Sequence, residues 1–303
     1  MKKLLLPIGL LATMTFLAAC GGPGGTNTGG GSGESQELNQ ETAAEYQELA
    51  VQGSEFQLAM LQEPMQIQTA SVTTLSGAQV PRPLVNTLST SGISAQQTDD
   101  CVVESGNTTD ADGDSVPVNA TYTYDCSSAP EDSYQYSLTG SASLADKNDN
   151  DSNSGYSMKM TALEYQFGQG SDSATLTFDL DFDLTISGAT YDAVFDFGFS
   201  ATGPDGSFTI GFDFDQTYLA DNQADPFASG NLSFTGNLNL NDDGDNYSLS
   251  VATSPSLSVD RTCATGYASG AAKYSDNAGN DVSVNYACDT ASATYNGSPI
   301  AAN

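Results

Sequence analysis

The sequence predicts a mainly β protein: a long antiparallel meander that forms a curled sheet or barrel, preceded by one N-terminal amphipathic helix. Three observations predict it. Residues 175–186 alternate Leu176, Phe178, Leu180, Phe182, Leu184 and Ile186 with Thr and Asp, a period of two that belongs to a strand. The same alternation recurs in residues 191–199 and 208–214, separated by short turns rich in Gly, Asn, Asp or Pro. Seven of the ten Glu lie at or before Glu63, whereas the rest of the chain uses Asp. Glu suits helices and Asp suits turns, so the composition changes where the architecture changes.

Taken in order, residues 1–19 join a basic start, Lys2-Lys3, to an apolar run ending in Leu17-Ala18-Ala19. A basic region, a short apolar region and small residues at its end describe an export signal, too short to span a bilayer comfortably. Leu17-Ala18-Ala19-Cys20 resembles the lipobox of bacterial lipoproteins. That resemblance, which covers these twenty residues only, implies cleavage before Cys20, a diacylglyceryl group on its thiol and acylation of the new amine. In the family an Asp after the lipidated Cys favours retention in the inner membrane, and Gly21 in that place implies delivery to the outer membrane.

Residues 20–33 are then a lipidated Cys and a Gly-rich tether, and residues 34–64 read as the helix. Leu38, Thr42, Tyr46, Leu49, Gly53, Phe56 and Met60 fall at steps of four and three, with Ser35 as the expected N-cap and Pro64 as the stop. The stripe reads either as packing against the β body or as contact with a partner or lipid. Residues 65–100, rich in Ser, Thr and Gln, read as an irregular connector. Residues 101–303 form the β domain. Beyond the central three, strands are expected at 116–125, 134–144, 156–167, 231–240, 247–253, 256–262, 282–287 and 291–296. The apolar phase switches within 156–167, which predicts a bulge near Ala162.

The chain carries 7 basic against 38 acidic residues, a formal charge of −31, and no His or Trp. Such a field disfavours nucleic acid and anionic lipid surfaces as partners. Without His there is no Ser-His-Asp or Cys-His pair and no imidazole zinc site. Apart from Cys20, four cysteines remain, and Cys101/Cys126 and Cys263/Cys288 have the same 25-residue separation. Each pair brackets turn-like sequence, centred near Gly113/Asp114 and Ser275/Asp276. Each is expected to be a cross-strand disulfide closing its own hairpin, as suits an oxidising compartment.

Three turns place Asp or Asn at i, i+2 and i+4: Asp110, Asp112 and Asp114; Asp149, Asp151 and Asn153; Asn241, Asp243 and Asp245. The spacing is that of the first ligands of an EF-hand-type calcium loop. Ser115, Ser154 and Asn246 stand where such a loop has Gly, and Thr121, Met160 and Ala252 where it has Glu. Asp110, Asp112 and Asp114 are the best calcium candidate, against the plain reading that Asp and Asn build turns. The strand carboxylates Asp179, Asp181, Asp183, Asp192, Asp196, Asp213 and Asp215 read as a solvated face, with a glycosidase-like pair as the alternative.

The expectation is a non-enzymatic, lipid-anchored lipoprotein of the outer membrane, structural or ligand-binding, whose partners are the membrane through its anchor and either an envelope protein or a hydrophobic small molecule. A carboxylate hydrolase and a membrane-spanning β-barrel are the alternatives.

Overall fold

The computed structural model describes residues 37–39, 43, 101–127, 135–168, 173–204, 206–242 and 245–300. The signal and lipobox with Cys20, the tether, most of the helix and the connector lie outside them. The described β domain has fourteen strands: β1 (Val102–Asn107), β2 (Asn119–Ser127), β3 (Gln135–Asp146), β4 (Gly155–Gly168), β5 (Ala174–Ser187), β6 (Thr190–Gly203), β7 (Gly206–Ala220), β8 (Ser229–Asp242), β9 (Asp245–Thr253), β10 (Leu257–Asp260), β11 (Tyr267–Ser275), β12 (Asp281–Ala287), β13 (Thr290–Tyr295) and β14 (Ser298–Pro299). They form one antiparallel sheet in which β1 to β8 are neighbours in chain order.

After β8 the meander changes. β10 pairs with the first part of β8, Ser229 to Leu232, and β9 with the remainder, Thr235 to Asp242. Both also pair with β11, so β9 and β10 lie end to end in a single strand position. Pro255 explains the break, because it has no N–H to give the ladder. Its carbonyl still accepts from Ala271 N, and Ser254 N donates to Ala271 O.

Alternation explains the faces. Along β7, Ile210, Phe212, Phe214, Gln216, Tyr218 and Ala220 are buried, while Thr209, Asp213, Asp215, Thr217 and Leu219 are exposed. The expected bulge is present. Between Thr139 and Ser141 of β3 the register with β4 slips, and Ala162 takes a φ of 45°. The Ala162 amide, released from the ladder, donates to Asp179 Oδ1 at 2.8 Å. Three strands go beyond those expected: β1, β14 and β11. In β11 the run Ala-Ser-Gly-Ala-Ala masks the alternation, and Ala271 and Ala272 are both buried.

The chain divides into two compact units. Within residues 101–182 and 197–208, Ala120, Tyr122, Tyr124, Leu138, Ala142, Leu163 and Tyr165 form one buried cluster. Within residues 183–196 and 209–300, Tyr218 and Phe227 stack with ring centroids 5.4 Å apart, Tyr191 packs tilted against both at 5.9 and 5.4 Å, and Phe214 meets Phe234 edge-on. Such ring pairs add to the area they bury.

Ala43 is helical, its amide bonded to Asn39 O at 2.8 Å, but residues 37–39 are not. The expected N-cap at Ser35 is therefore too early. Leu38 N donates to Asp276 Oδ2 at 2.8 Å and Leu38 O accepts from Tyr295 Oη at 2.9 Å, bonds that fix this backbone outside a helix.

Both disulfides pair as expected, with Cα atoms 4.9 Å apart for Cys101–Cys126 and 4.5 Å for Cys263–Cys288. The first staples the β1–β2 hairpin, in which Val102 faces Tyr124 and Cys101 O accepts from Asp125 N. The second is not a cross-strand pair. Tyr274 faces Val282, which moves the β11–β12 turn to residues 276–280 and leaves Cys263 in the loop between β10 and β11. That bond ties the loop to the end of β12.

Candidate functional site

Antiparallel order puts the β1–β2 loop and the β3–β4 loop at the same end of their strands, and both loops are acidic. Short carboxylates shape them by accepting from nearby backbone amides. Asp110 Oδ1 accepts from Gly113 N and its Oδ2 from Ser115 N, at 2.8 and 3.0 Å. Asp112 Oδ1 accepts from Asp114 N at 3.3 Å, and Asp114 Oδ1 from Val116 N at 2.7 Å. The turn is tight enough to hold Gly113 and Ser115 at φ of 79° and 71°.

The second loop is bonded to the first. Asp149 Oδ1 accepts from Ala111 N at 2.8 Å, and Asp146 N donates to Pro117 O at 3.0 Å. Asp146 Oδ1 accepts from Asn148 N and from Ser154 Oγ, both at 3.1 Å. One oxygen from each of Asp110, Asp112 and Asp114 lies within 4.8 Å of the other two, and the same holds for Asp112, Asp146 and Asp149. Asp112 belongs to both sets.

Crowded carboxylates raise one another's affinity for protons. Asp114 is only 7 % exposed, and burial pushes its carboxyl up to about 6, with Asp112, Asp146 and Asp110 adding charge repulsion against the Val116 amide. Asp112 is raised as well, by burial and then by the charges of Asp146 and Asp110. Two oxygens stand out: Asp112 Oδ2 and Asp146 Oδ2 each expose less than 1 Å² and have no hydrogen-bond partner.

The structure thus gathers the expected trio Asp110, Asp112 and Asp114. It does not build a separate site on Asp149, Asp151 and Asn153: Asp149 turns toward Asp112 and Asp146, while Asp151 Oδ1 accepts from Asn153 N. The third turn contains Asp243, outside the described residues. Sequence reasoning missed Asp146, the last residue of β3, because it lies before the turn motif. Its signal was the meander itself, which makes alternate loops neighbours.

No protein-family model matches the chain, and no curated protein or solved structure is significantly similar to it. The site is therefore argued from its own chemistry.

The strand carboxylates present a different picture. Asp181 pairs with Lys159 at 2.7 Å, with both side chains more than half exposed. Asp179 caps the Ala162 bulge, and Asp192 Oδ1 accepts from Thr217 Oγ1 at 2.7 Å. Asp183, Asp192 and Asp215 line an open groove with Thr185, Thr217 and Ser233 on the polar face of the second unit. These groups meet water or structural partners.

Proposed function

We propose that the protein is a non-enzymatic, lipid-anchored component of the cell envelope, held at the outer membrane through Cys20 and serving a structural or binding role with another envelope component. The observation that carries this reading is Leu17-Ala18-Ala19-Cys20 behind a short apolar run. Two features of the body support it. Its remaining four cysteines are joined in two disulfides, the state expected in an oxidising compartment. The outer residues of β5, β6 and β7 are mainly Asp and Thr, which suits a body standing in water better than a barrel facing lipid.

A hydrophobic small-molecule ligand has less support, since Phe182, Phe195 and Ile210 are 0–1 % exposed and packed among their own neighbours. A carboxylate hydrolase has less support as well, because Asp179, Asp181 and Asp192 are engaged with Ala162, Lys159 and Thr217.

The test is Cys20→Ser. Lipid labelling with radioactive palmitate is expected to disappear, and carbonate extraction is expected to release the variant from membranes. Retention of the variant on carbonate-washed membranes would refute the anchor.

A further inference from the structure

We propose that the place where Leu38 docks is a peptide-recognition site: it seats an extended peptide through one apolar anchor residue, and the partner it fits carries basic residues beside that anchor. The chain's own Leu38 is the resident occupant. The inference deepens the binding role proposed above, and no part of it depends on the lipid anchor. Asp276 Oδ2 accepts from Leu38 N at 2.8 Å, and Tyr295 Oη donates to Leu38 O at 2.9 Å. Two side chains from two elements, the β11–β12 turn and the end of β13, thus hold both backbone groups of one residue. Every residue but proline offers that pair, so the clamp reads backbone and leaves selection to the side chain between the two groups. That side chain is buried: Leu38 is 2 % exposed, and Ala43, whose amide bonds Asn39 O, is 0 % exposed.

The seat is built by the β body alone. Asp276 Oδ1 accepts from Ala278 N at 2.9 Å and from Asn280 N at 2.8 Å, and Asp276 N donates to Asn280 O, which closes the turn on itself. Asn280 Nδ2 donates to the same Oδ2 that receives Leu38. The neighbouring β13–β14 turn is tied to this one: Asn296 Nδ2 donates to Asn280 Oδ1, Asp281 N to Asn296 Oδ1, and Asn296 N to Asp281 O. Tyr295 faces Val282 in the β12–β13 ladder, which sets its place beside that turn. None of these bonds uses Leu38. Asp276, only 7 % exposed, is therefore held ready for an incoming amide. A site ordered in advance spares its ligand part of the entropy cost of binding.

Charge selects the partner. Glu37 is exposed and adjoins the amide that Asp276 receives, and Glu41 follows four residues later, in a chain of net charge −31. The resident segment thus brings acids of its own to a carboxylate and to a strongly negative body, which repel them. A peptide with the same apolar anchor and Lys in those two places keeps the clamp and turns repulsion into attraction, so it displaces Leu38. Attraction of this kind between exposed charges fades as salt is added.

The experiment is fluorescence anisotropy of a labelled peptide of residues 35–46, titrated with the full chain in detergent, its own seat vacated by Leu38→Asp. Expected is one saturable site per chain with Kd of about 10⁻⁴ M. The peptide carrying Glu37→Lys and Glu41→Lys is expected to bind about fivefold tighter in dilute buffer and to lose that advantage at about 1 M salt. Adding Tyr295→Phe to the chain is expected to weaken binding about fivefold, and Leu38→Asp in the peptide to abolish it. The parent chain, whose seat is filled, is expected to bind the Lys peptide about tenfold more weakly than the vacated chain. Absence of saturable binding, equal binding of the peptide carrying Leu38→Asp, or equal affinity of parent and vacated chains would overturn the proposal. Should the vacated chain not fold, the parent decides the matter. Hydrogen exchange at its Leu38 amide is expected to quicken under excess Lys peptide, and unchanged protection would refute the site. Cys20→Ser is expected to give the same results, which keeps this outcome separate from that of the anchor test.

Discussion

Gln216 keeps the geometry of β7 while breaking its chemistry. It occupies a position of the inner face between Phe214 and Tyr218, is 3 % exposed, and both its amide oxygen and nitrogen are buried without a partner. An unsatisfied buried amide costs about 1–3 kcal/mol, whereas an unbranched apolar side chain fills the same space without that cost. Gln216→Met is therefore expected to stabilise the protein by about 1 kcal/mol in urea denaturation with an unchanged slope; a loss of stability would mean that the amide is satisfied. The polarity of Gln216 also explains a limit of the sequence reading. The apolar alternation in the sequence stops at Phe214, yet the strand's inward positions continue through Gln216, Tyr218 and Ala220 once Gln is accepted as an inward residue.

Elements were legible wherever alternation was unbroken. The phase switch in 156–167 located the Ala162 bulge, and the structure adds the residue that permits it. Gly140, opposite the bulge, has φ of 123°, and a Cβ there would stand 2.5 Å from Ala162 O. Both strain and collision fall on backbone, which cannot rotate away. Gly140→Ala is expected to cost about 2 kcal/mol or more and to lower the thermal midpoint, and an unchanged midpoint would mean that the bulge can move. The Cys101–Cys126 bond lies at the base of the hairpin that carries Asp110, Asp112 and Asp114. Replacing both cysteines by Ser is expected to remove about 3 kcal/mol, the loop-closure contribution. Chemical denaturation checks it. By contrast, the pairing pattern of β9, β10 and β11 was not legible, because a strand shared end to end depends on which partner each half meets. For the same reason the i, i+2, i+4 spacing found Asp110, Asp112 and Asp114 of the acidic cluster but not Asp146 and Asp149 as their companions, since no local pattern records a contact between loops.

On the scale of the whole chain, its N-terminal part is tied to its C-terminal strands through Leu38, which is 2 % exposed. Burial works against charge on Asp276, but bonds from the Asn280 side chain and from the Leu38, Asn280 and Ala278 backbones outweigh it and hold its carboxyl below the usual range. Asp276 therefore binds its proton more weakly when folded than when unfolded. The contribution of a carboxyl lowered in this way is complete above the unfolded value of about 3.9 and is lost as pH falls through the lower folded value. Exchange of the Leu38 amide is expected to stay slow from pH 7 down to pH 5, after correction for intrinsic rates, and to quicken only below about pH 4. Asp276→Ala removes the acceptor of all four donors at every pH, so its Leu38 amide is expected to exchange rapidly at pH 7 and its stability to fall by about 2 kcal/mol. If Cys20 carries the lipid, the chain between it and Leu38 reaches about 60 Å at most. The docked Leu38 then fixes the Asp276 and Tyr295 end of the second unit as the point from which that length is measured. A Leu38 amide that loses protection between pH 7 and 5, or that remains protected in Asp276→Ala, would show that this attachment does not depend on the carboxylate.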